Sequence, residues 1–218
     1  MFRGIGFRAW RFSRNWVGSR LSAAVSRIPY FRFIPETADS QVPITFRMWW
    51  RQAVLGVHDG VYWPVHPSSV VNVYQNILIG VHTSPGYSPG CYIQGIGRVY
   101  IGDYTQIAQN VGIISANHDV HDNSTYNAKE VRIGSYCWIG MNAVILPGVE
   151  LGDFTVVGAG SVVTKSFPEG YCVIGGNPAR IIHRLDPEKC VRFTSRHAYI
   201  GFMRKERFEG YRRGNLRL

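Results

Sequence analysis

The stretch Ser115-Ala116-Asn117-His118-Asp119-Val120-His121-Asp122-Asn123 sets two imidazoles and two carboxylates side by side. Histidine is the side chain best matched to proton transfer near neutral pH, and an adjacent acid can fix its tautomer. The residues alone leave two readings open, a general base in a catalytic loop or a polar loop with exposed histidines. The thiols offer less. Cys91, Cys137, Cys172 and Cys190 are widely spaced and form no CxxC pair, so reduced thiols are expected rather than a disulfide framework or a zinc site.

What must hold this stretch in place is a repeat. Ile133, Ile139, Ile145, Leu151, Val157 and Val163 recur every six residues, and Gly134, Gly140, Gly152 and Gly158 follow four of them. Neither a helix nor an alternating strand demands a strict six. A hexapeptide period marks a parallel β-helix in which each unit is one short strand and its corner. The period starts faintly at Val65, Val71 and Ile77, and shifts to Ile79. It resumes at Ile101, Ile107 and Ile113, breaks from about Ser115 to Arg132, and then runs unbroken to Val163. From Ile79 to Ile101 is 22 residues, four more than three hexads, and the turn-rich run Thr83 to Gly90 is the expected place for a loop. Three hexads per turn and strands ~4.8 Å apart imply a prism of five to six coils, roughly 25 Å tall. An insertion in such a solenoid projects from one face, often the binding face, and 115–132 is that insertion.

Charge and composition divide the chain into three. Residues 1–64 form a basic, aromatic extension, 65–182 the repeat domain with loops near 83–92 and 115–132, and 183–218 a basic tail. The net charge of +10 belongs to the ends: residues 1–33 carry +7, 183–218 carry +6, and 34–182 carry −3. No nucleic-acid motif accompanies the basicity, so no nucleic-acid partner is expected. Phe2, Ile5, Phe7, Trp10, Phe12 and Trp16 interleave with Arg3, Arg8, Arg11 and Arg14, as in a segment lying on an anionic membrane surface; a basic helix packed on the protein itself is the alternative. No apolar run is long enough to span a bilayer and no clean signal peptide is present, so the expectation is a cytoplasmic protein, peripheral to the membrane if anything.

Within the ends, Thr45 to Leu55 reads as a short helix with Thr45 as its N-cap and Gly56 at its stop. Trp49, Trp50, Tyr62 and Trp63 are expected beneath the first coil, with stacking on a sugar the less common use of such a cluster. Residues 187–207 are expected to be helical, ending near Gly210.

The pieces Ile101-Gly102-Asp103, Asn117-His118-Asp119, Trp138-Ile139-Gly140, Asn142 to Val149, Gly158 to Lys165 and Gly175-Gly176-Asn177-Pro178-Ala179-Arg180 together resemble the hexapeptide-repeat acyltransferases. The pattern is most similar to the galactoside and maltose O-acetyltransferases and their polysaccharide-modifying relatives. It runs from about Ile79 to Ile182. The resemblance implies an all-β fold, a left-handed parallel β-helix with helical or irregular extensions, assembled as a homotrimer with acetyl-CoA between prisms and no metal. It makes His118 the general base toward an acceptor hydroxyl on a sugar or surface-polysaccharide precursor. Trp138 matches an aromatic shaping the pocket, and Met141, Ala159, Thr164, Lys165 and Arg180 match positions that contact CoA. His118 is preferred over His121 because it lies nearer the last in-register position. Two departures stand out: Asp119 replaces the usual proline, and residues 1–64 lack that group's helical cap sequence. Two other functions remain open. A zinc-dependent lyase like the β-helical carbonic anhydrases would use histidines from successive coils, and His82 and His118 are 36 residues apart. A β-helix serving only as a scaffold is the other.

Overall fold

The structure, a computed structural model, describes residues 28–218; the aromatic and arginine pattern of residues 2–16 lies outside them. Its centre is a three-sided prism of parallel strands. The first face carries β1 (Val70–Asn72), β3 (Tyr92–Gln94), β6 (Gly112–Ile114), β11 (Val144–Ile145) and β14 (Val162–Val163), in that order along the axis. The second carries β2 (Ile77–Ile79), β4 (Val99–Ile101), β9 (Val131–Ile133) and β12 (Glu150–Leu151). The third carries β5 (Gln106–Ile107), β10 (Trp138–Ile139), β13 (Thr155–Val157) and β15 (Cys172–Gly176), closed at its end by the antiparallel β16 (Ala179–Arg184). The hexad residues point inward and stack on their copies. Ile139 sits beside Ile107 and Val157, and Ile145 beside Ile113 and Val163. Ile113, Ile139 and Ile145 are fully buried. The first face stacks five strands, the lower end of the expected height.

The register shows where the repeat swells. Six residues separate Ile101 from Ile107 and Ile107 from Ile113, but eight separate Val71 from Ile79 and Ile93 from Ile101, and twenty separate Ile113 from Ile133. Every one of these longer steps crosses the same corner, from the first face to the second. The four extra residues expected as a loop at Thr83 to Gly90 are thus divided, two there and two around Gly95 to Arg98. Val81 to Gly86 stay buried against the prism. The cause is a hydroxyl rung: Thr83 Oγ1 donates to the Gly102 carbonyl at 2.7 Å and accepts from Thr105 N at 3.1 Å, which holds this segment in the stack.

The lower end is closed by the aromatic cluster, but only half of it. Trp63 is fully buried and its Nε1 donates to Pro85 O at 2.8 Å. The Tyr62 hydroxyl donates to Ile77 O at 3.0 Å and accepts from Ile79 N at 3.2 Å, satisfying the free edge of β2. Trp49 is half-buried and Trp50 is exposed, so the expectation of burial holds for Tyr62 and Trp63 alone. α1 (Phe46–Ala53) begins where expected, with Thr45 Oγ1 accepting from Met48 N at 3.3 Å.

The C-terminal segment returns along the prism instead of forming one helix from Pro187. A 3-10 turn at Pro187–Lys189 gives way to an extended strap, the hairpin β17 (Tyr199–Ile200) with β18 (Met203–Arg204), and then α2 (Lys205–Asn215), inside which Gly210 falls. The strap is extended because it lies on an aromatic ladder. His82, Tyr104, Tyr136, Phe154 and Tyr171 stack at the corner between the second and third faces, with successive ring centroids 5.8, 5.3, 5.0 and 5.2 Å apart. Phe193 packs edge-on to Tyr104 and Tyr136, and Arg192 lies 5.1 Å over Phe154 while donating to Asp153 at 2.8 Å. A helix would lift these side chains off the ladder. Further on, Arg204 and Tyr199 both donate to the Glu36 carboxylate, tying the tail to the N-terminal extension.

Candidate functional site

The insertion after β6 folds as a two-stranded arm, β7 (Ala116–His118) paired antiparallel with β8 (Tyr126–Ala128). Its base is fixed by Gln94, whose Oε1 accepts from Ala116 N at 2.9 Å, and by Ser115 Oγ donating to Gln94 O at 2.5 Å. His118 ends β7, exposed, opposite Tyr126, whose ring lies 4.4 Å from the imidazole. Its Nδ1 is 2.6 Å from the carbonyl oxygen of Asn123. A carbonyl can only accept, so Nδ1 carries the hydrogen and in the neutral ring the lone pair is on Nε2. This is the tautomer a base needs.

The acid beside the histidine does something else. Asp119 Oδ1 accepts from His121 N at 2.8 Å and Asp122 N at 3.2 Å, and Oδ2 accepts from the Asn127 amide at 2.9 Å. It shapes the turn that carries Asn123 and makes no bond to the imidazole ring, contrary to a tautomer-fixing acid. The His121 amide, the Asn127 side chain and the Asp122 amide together hold the Asp119 carboxyl below the ordinary range. A depressed carboxyl pKa means these bonds are present above the unfolded value and are lost as pH falls through the folded one. The Asn127 side-chain amide shifts, followed by NMR, are therefore expected to hold through the ordinary carboxylate pKa of about 3.9 and to move only at lower pH; shifts that move already at or above that value would contradict it.

Of the remaining expected site residues, four fall at two edges of the first face. Thr164 and Lys165 follow β14 at the corner from which the arm projects, with Lys165 Nζ 5.6 Å over the Phe167 ring. Met141 and Ala159 lie at the opposite corner, between the third and first faces, joined by Gly160 N donating to Met141 O at 2.8 Å. Trp138 stands on the third face, 58% exposed, and Arg180 on β16 at the same face's end. Within one chain, then, His118, Thr164 and Lys165 are separated from Trp138, Met141, Ala159 and Arg180 by the width of the first face.

Beside Trp138 is a groove of 410 Å³ walled by Tyr104, Tyr136, Phe154 and Phe193. Gln106, paired with Trp138 in the sheet, lines it, and its amide nitrogen is buried without a partner among the described residues. The hexad pattern marks position 106 only as outward-facing, so nothing in the sequence singled this residue out. A larger hollow of 760 Å³ lies between the second face and α2, away from His118 and Trp138. The thiols of Cys91, Cys137 and Cys172 are buried, and burial pushes that of Cys137 up to about 12, which leaves it inert as a nucleophile. His82 does not stack with His118. Its ring is on the aromatic ladder, Nε2 donating to His197 O at 2.7 Å, and burial lowers its pKa. Among the described residues no three His, Cys, Asp or Glu side chains gather as a metal site.

Residues 130–165 match the family model for the bacterial transferase hexapeptide, six repeats. The chain is 33% identical over 144 residues to the putative colanic acid biosynthesis acetyltransferase WcaF of Escherichia coli K12, covering 64% of this chain and 78% of that protein. It is 41% identical over 92 residues to the galactoside O-acetyltransferase of Escherichia coli K12, spanning 40% of this chain but only 45% of that relative's length. Among solved structures, a galactoside acetyltransferase in complex with coenzyme A superposes with a TM-score of 0.50 at 29% identity, over 65% of this chain and 70% of that one.

Proposed function

Because this chain belongs to the hexapeptide-repeat acetyltransferases, with the left-handed parallel β-helix of that family, we propose that it moves an acetyl group from acetyl-CoA to a hydroxyl of a sugar or surface-polysaccharide precursor. The observation that carries this reading is the His118 Nδ1 to Asn123 carbonyl contact at 2.6 Å, which leaves Nε2 as a proton acceptor. In the proposed step Nε2 takes the acceptor's hydroxyl proton as that oxygen attacks the thioester carbonyl carbon. The tetrahedral intermediate collapses, the C–S bond breaks, and the imidazolium returns its proton to the leaving thiolate. No protein nucleophile is required, since the thioester is already activated.

The edge-to-edge arrangement around the first face favours a homotrimer in this reading. One chain would offer His118, Thr164 and Lys165, and its neighbour Trp138, Met141, Ala159 and Arg180, with CoA lying between them. Lys165 and Arg180 would meet the CoA phosphates as cationic donors. Gln106 joins them as a hydrogen-bond donor into the aromatic groove, and Trp138 forms the wall beside it. The names of two relatives support a sugar or polysaccharide acceptor, one being a galactoside O-acetyltransferase and one a putative colanic acid biosynthesis acetyltransferase.

The test is release of free CoA thiol from acetyl-CoA across a panel of sugars and amino sugars, with the assembly state measured by sedimentation. Turnover with a hydroxyl acceptor is expected, on a trimer. No thiol release with any acceptor would favour a scaffold, and turnover confined to amino sugars would replace O-acetylation by N-acetylation.

A further inference from the structure

α1 turns a polar side chain into the protein. Its buried residue is Gln52, whose amide donates to Trp63 O at 3.0 Å and whose carbonyl accepts from Val65 N at 2.8 Å. Turning this polar side chain inward sends Phe46, Trp50 and Val54, spaced by four, to the opposite side of the helix. Trp50 is 44% exposed, Val54 48% and Leu55, just past the helix, 62%. The apolar surface continues onto Tyr30, 67% exposed, through a ring network: Tyr30 lies 5.9 Å from Trp49, and Phe46 lies 5.6 Å from Trp49 and 5.9 Å from Trp50. Such a contiguous exposed patch marks an interaction site.

The charge along the sequence of this segment has one sign. Arg47 and Arg51 each follow a residue of the apolar row, and no Asp or Glu occurs between Asp39 and Asp59. The chain leading into Ile28 adds six arginines and no acid over residues 1–27. Pairing two copies through this face would bring Arg47 and Arg51 of each together, with no acid from the stretch between Asp39 and Asp59 to offset them. An anionic surface supplies the missing charge and an apolar layer together.

We propose that the face formed by α1, Leu55 and Tyr30 docks on an anionic lipid bilayer. Trp50, Val54 and Leu55 enter the boundary between headgroups and acyl chains, and Arg47 and Arg51 meet the lipid phosphates. This goes beyond the acetyl-transfer reading and stands or falls apart from it, since lipid binding and thiol release are measured separately.

The full chain is to be sedimented with vesicles of phosphatidylcholine and phosphatidylglycerol, and with phosphatidylcholine alone. The wild type is expected to pellet with the anionic vesicles and to release as salt is raised. Trp50→Glu with Leu55→Glu, and separately Arg47→Glu with Arg51→Glu, are each expected to lower the partition coefficient ~10-fold or more by removing apolar or cationic anchors from the interface. Melting curves and thiol release with a soluble sugar should stay at wild-type values, because these side chains are on the outside of the extension. The arginine pair serves as the decisive variant if the apolar pair fails to fold. Wild-type lipid binding by both variants would assign the attachment to residues 1–27 and overturn the proposal. So would a change of assembly state in the Trp50→Glu, Leu55→Glu variant without lipid, which would make the face a contact between copies.

Discussion

His118→Ala is expected to lower acetyl transfer ~10²–10⁴-fold, the usual contribution of a positioned general base. That equals roughly 3–5 kcal/mol of transition-state stabilisation. The loss should appear in kcat, with the KM for acetyl-CoA little changed, because in the proposed step the imidazole would act on the acceptor's proton and not on the cofactor's phosphates. The fold should not suffer. The side chain is exposed, its described polar contact is to the Asn123 carbonyl, and that carbonyl can turn to water instead. Superimposable melting curves are therefore part of the expectation. His121→Ala is the internal control. The His121 backbone amide is held by Asp119, and its ring has no hydrogen bond among the described residues, so near wild-type turnover is expected. A His118→Ala enzyme keeping most of its activity while His121→Ala loses it would move the base to the other histidine.

The second large effect concerns stability. Trp63→Ala is expected to cost about 3–5 kcal/mol, the range for removing a fully buried large aromatic. Trp63 lies under the first coil, where an open prism would expose both its apolar interior and its free strand edges. Removing the indole leaves a cavity against the first coil and strips Pro85 O of its 2.8 Å donor. A chemical denaturation curve reads the change directly as a lower midpoint at an unchanged slope. Trp63→Phe separates the two contributions, since it keeps most of the ring volume and loses the Nε1–H bond, for about 1–3 kcal/mol. A Trp63→Ala protein within about 1 kcal/mol of wild type would mean the lower end is sealed by something other than this side chain.

These two residues mark how differently the fold and the site can be read in the chain. The prism is legible because each hexad answers locally: an aliphatic at one position and a small residue beside it satisfy the same geometry at every coil. Stacking then multiplies the signal, as in the column Ile107, Ile139, Val157. The place where the stack is interrupted is equally legible, so the arm bearing His118 shows in the sequence as a failure of the period. Its internal chemistry does not. Asp119, next to His118 in the chain, bonds the turn amides, whereas the carbonyl that sets the imidazole's tautomer belongs to Asn123 on the far side of that turn. Backbone carbonyls carry no residue-type signal, so no reading of side-chain order could have found it.

The same holds at longer range. Position 106 is an ordinary outward hexad position until the sheet sets it beside Trp138 and buries its amide in the groove. The loop expected at Thr83 to Gly90 follows from turn residues, yet the Thr83 hydroxyl keeps that run in the stack and sends half the slack to Gly95 to Arg98. The tail read as helix from Pro187 is an extended strap because five aromatics from five different coils make a ladder for Phe193 and Arg192, and no window of the sequence contains that ladder.

By itself the sequence determined the period, the inward column, the position of the inserted arm and the cap of α1, all set by interactions within a few residues or repeated identically at each coil. Tertiary structure alone decided which partner each polar group takes, how the ends close the prism, and that Thr164 and Lys165 stand across the first face from Met141 and Ala159. Those outcomes depend on groups dozens of residues apart competing for the same donor, ring or surface, and the competition is settled only when the coils are stacked.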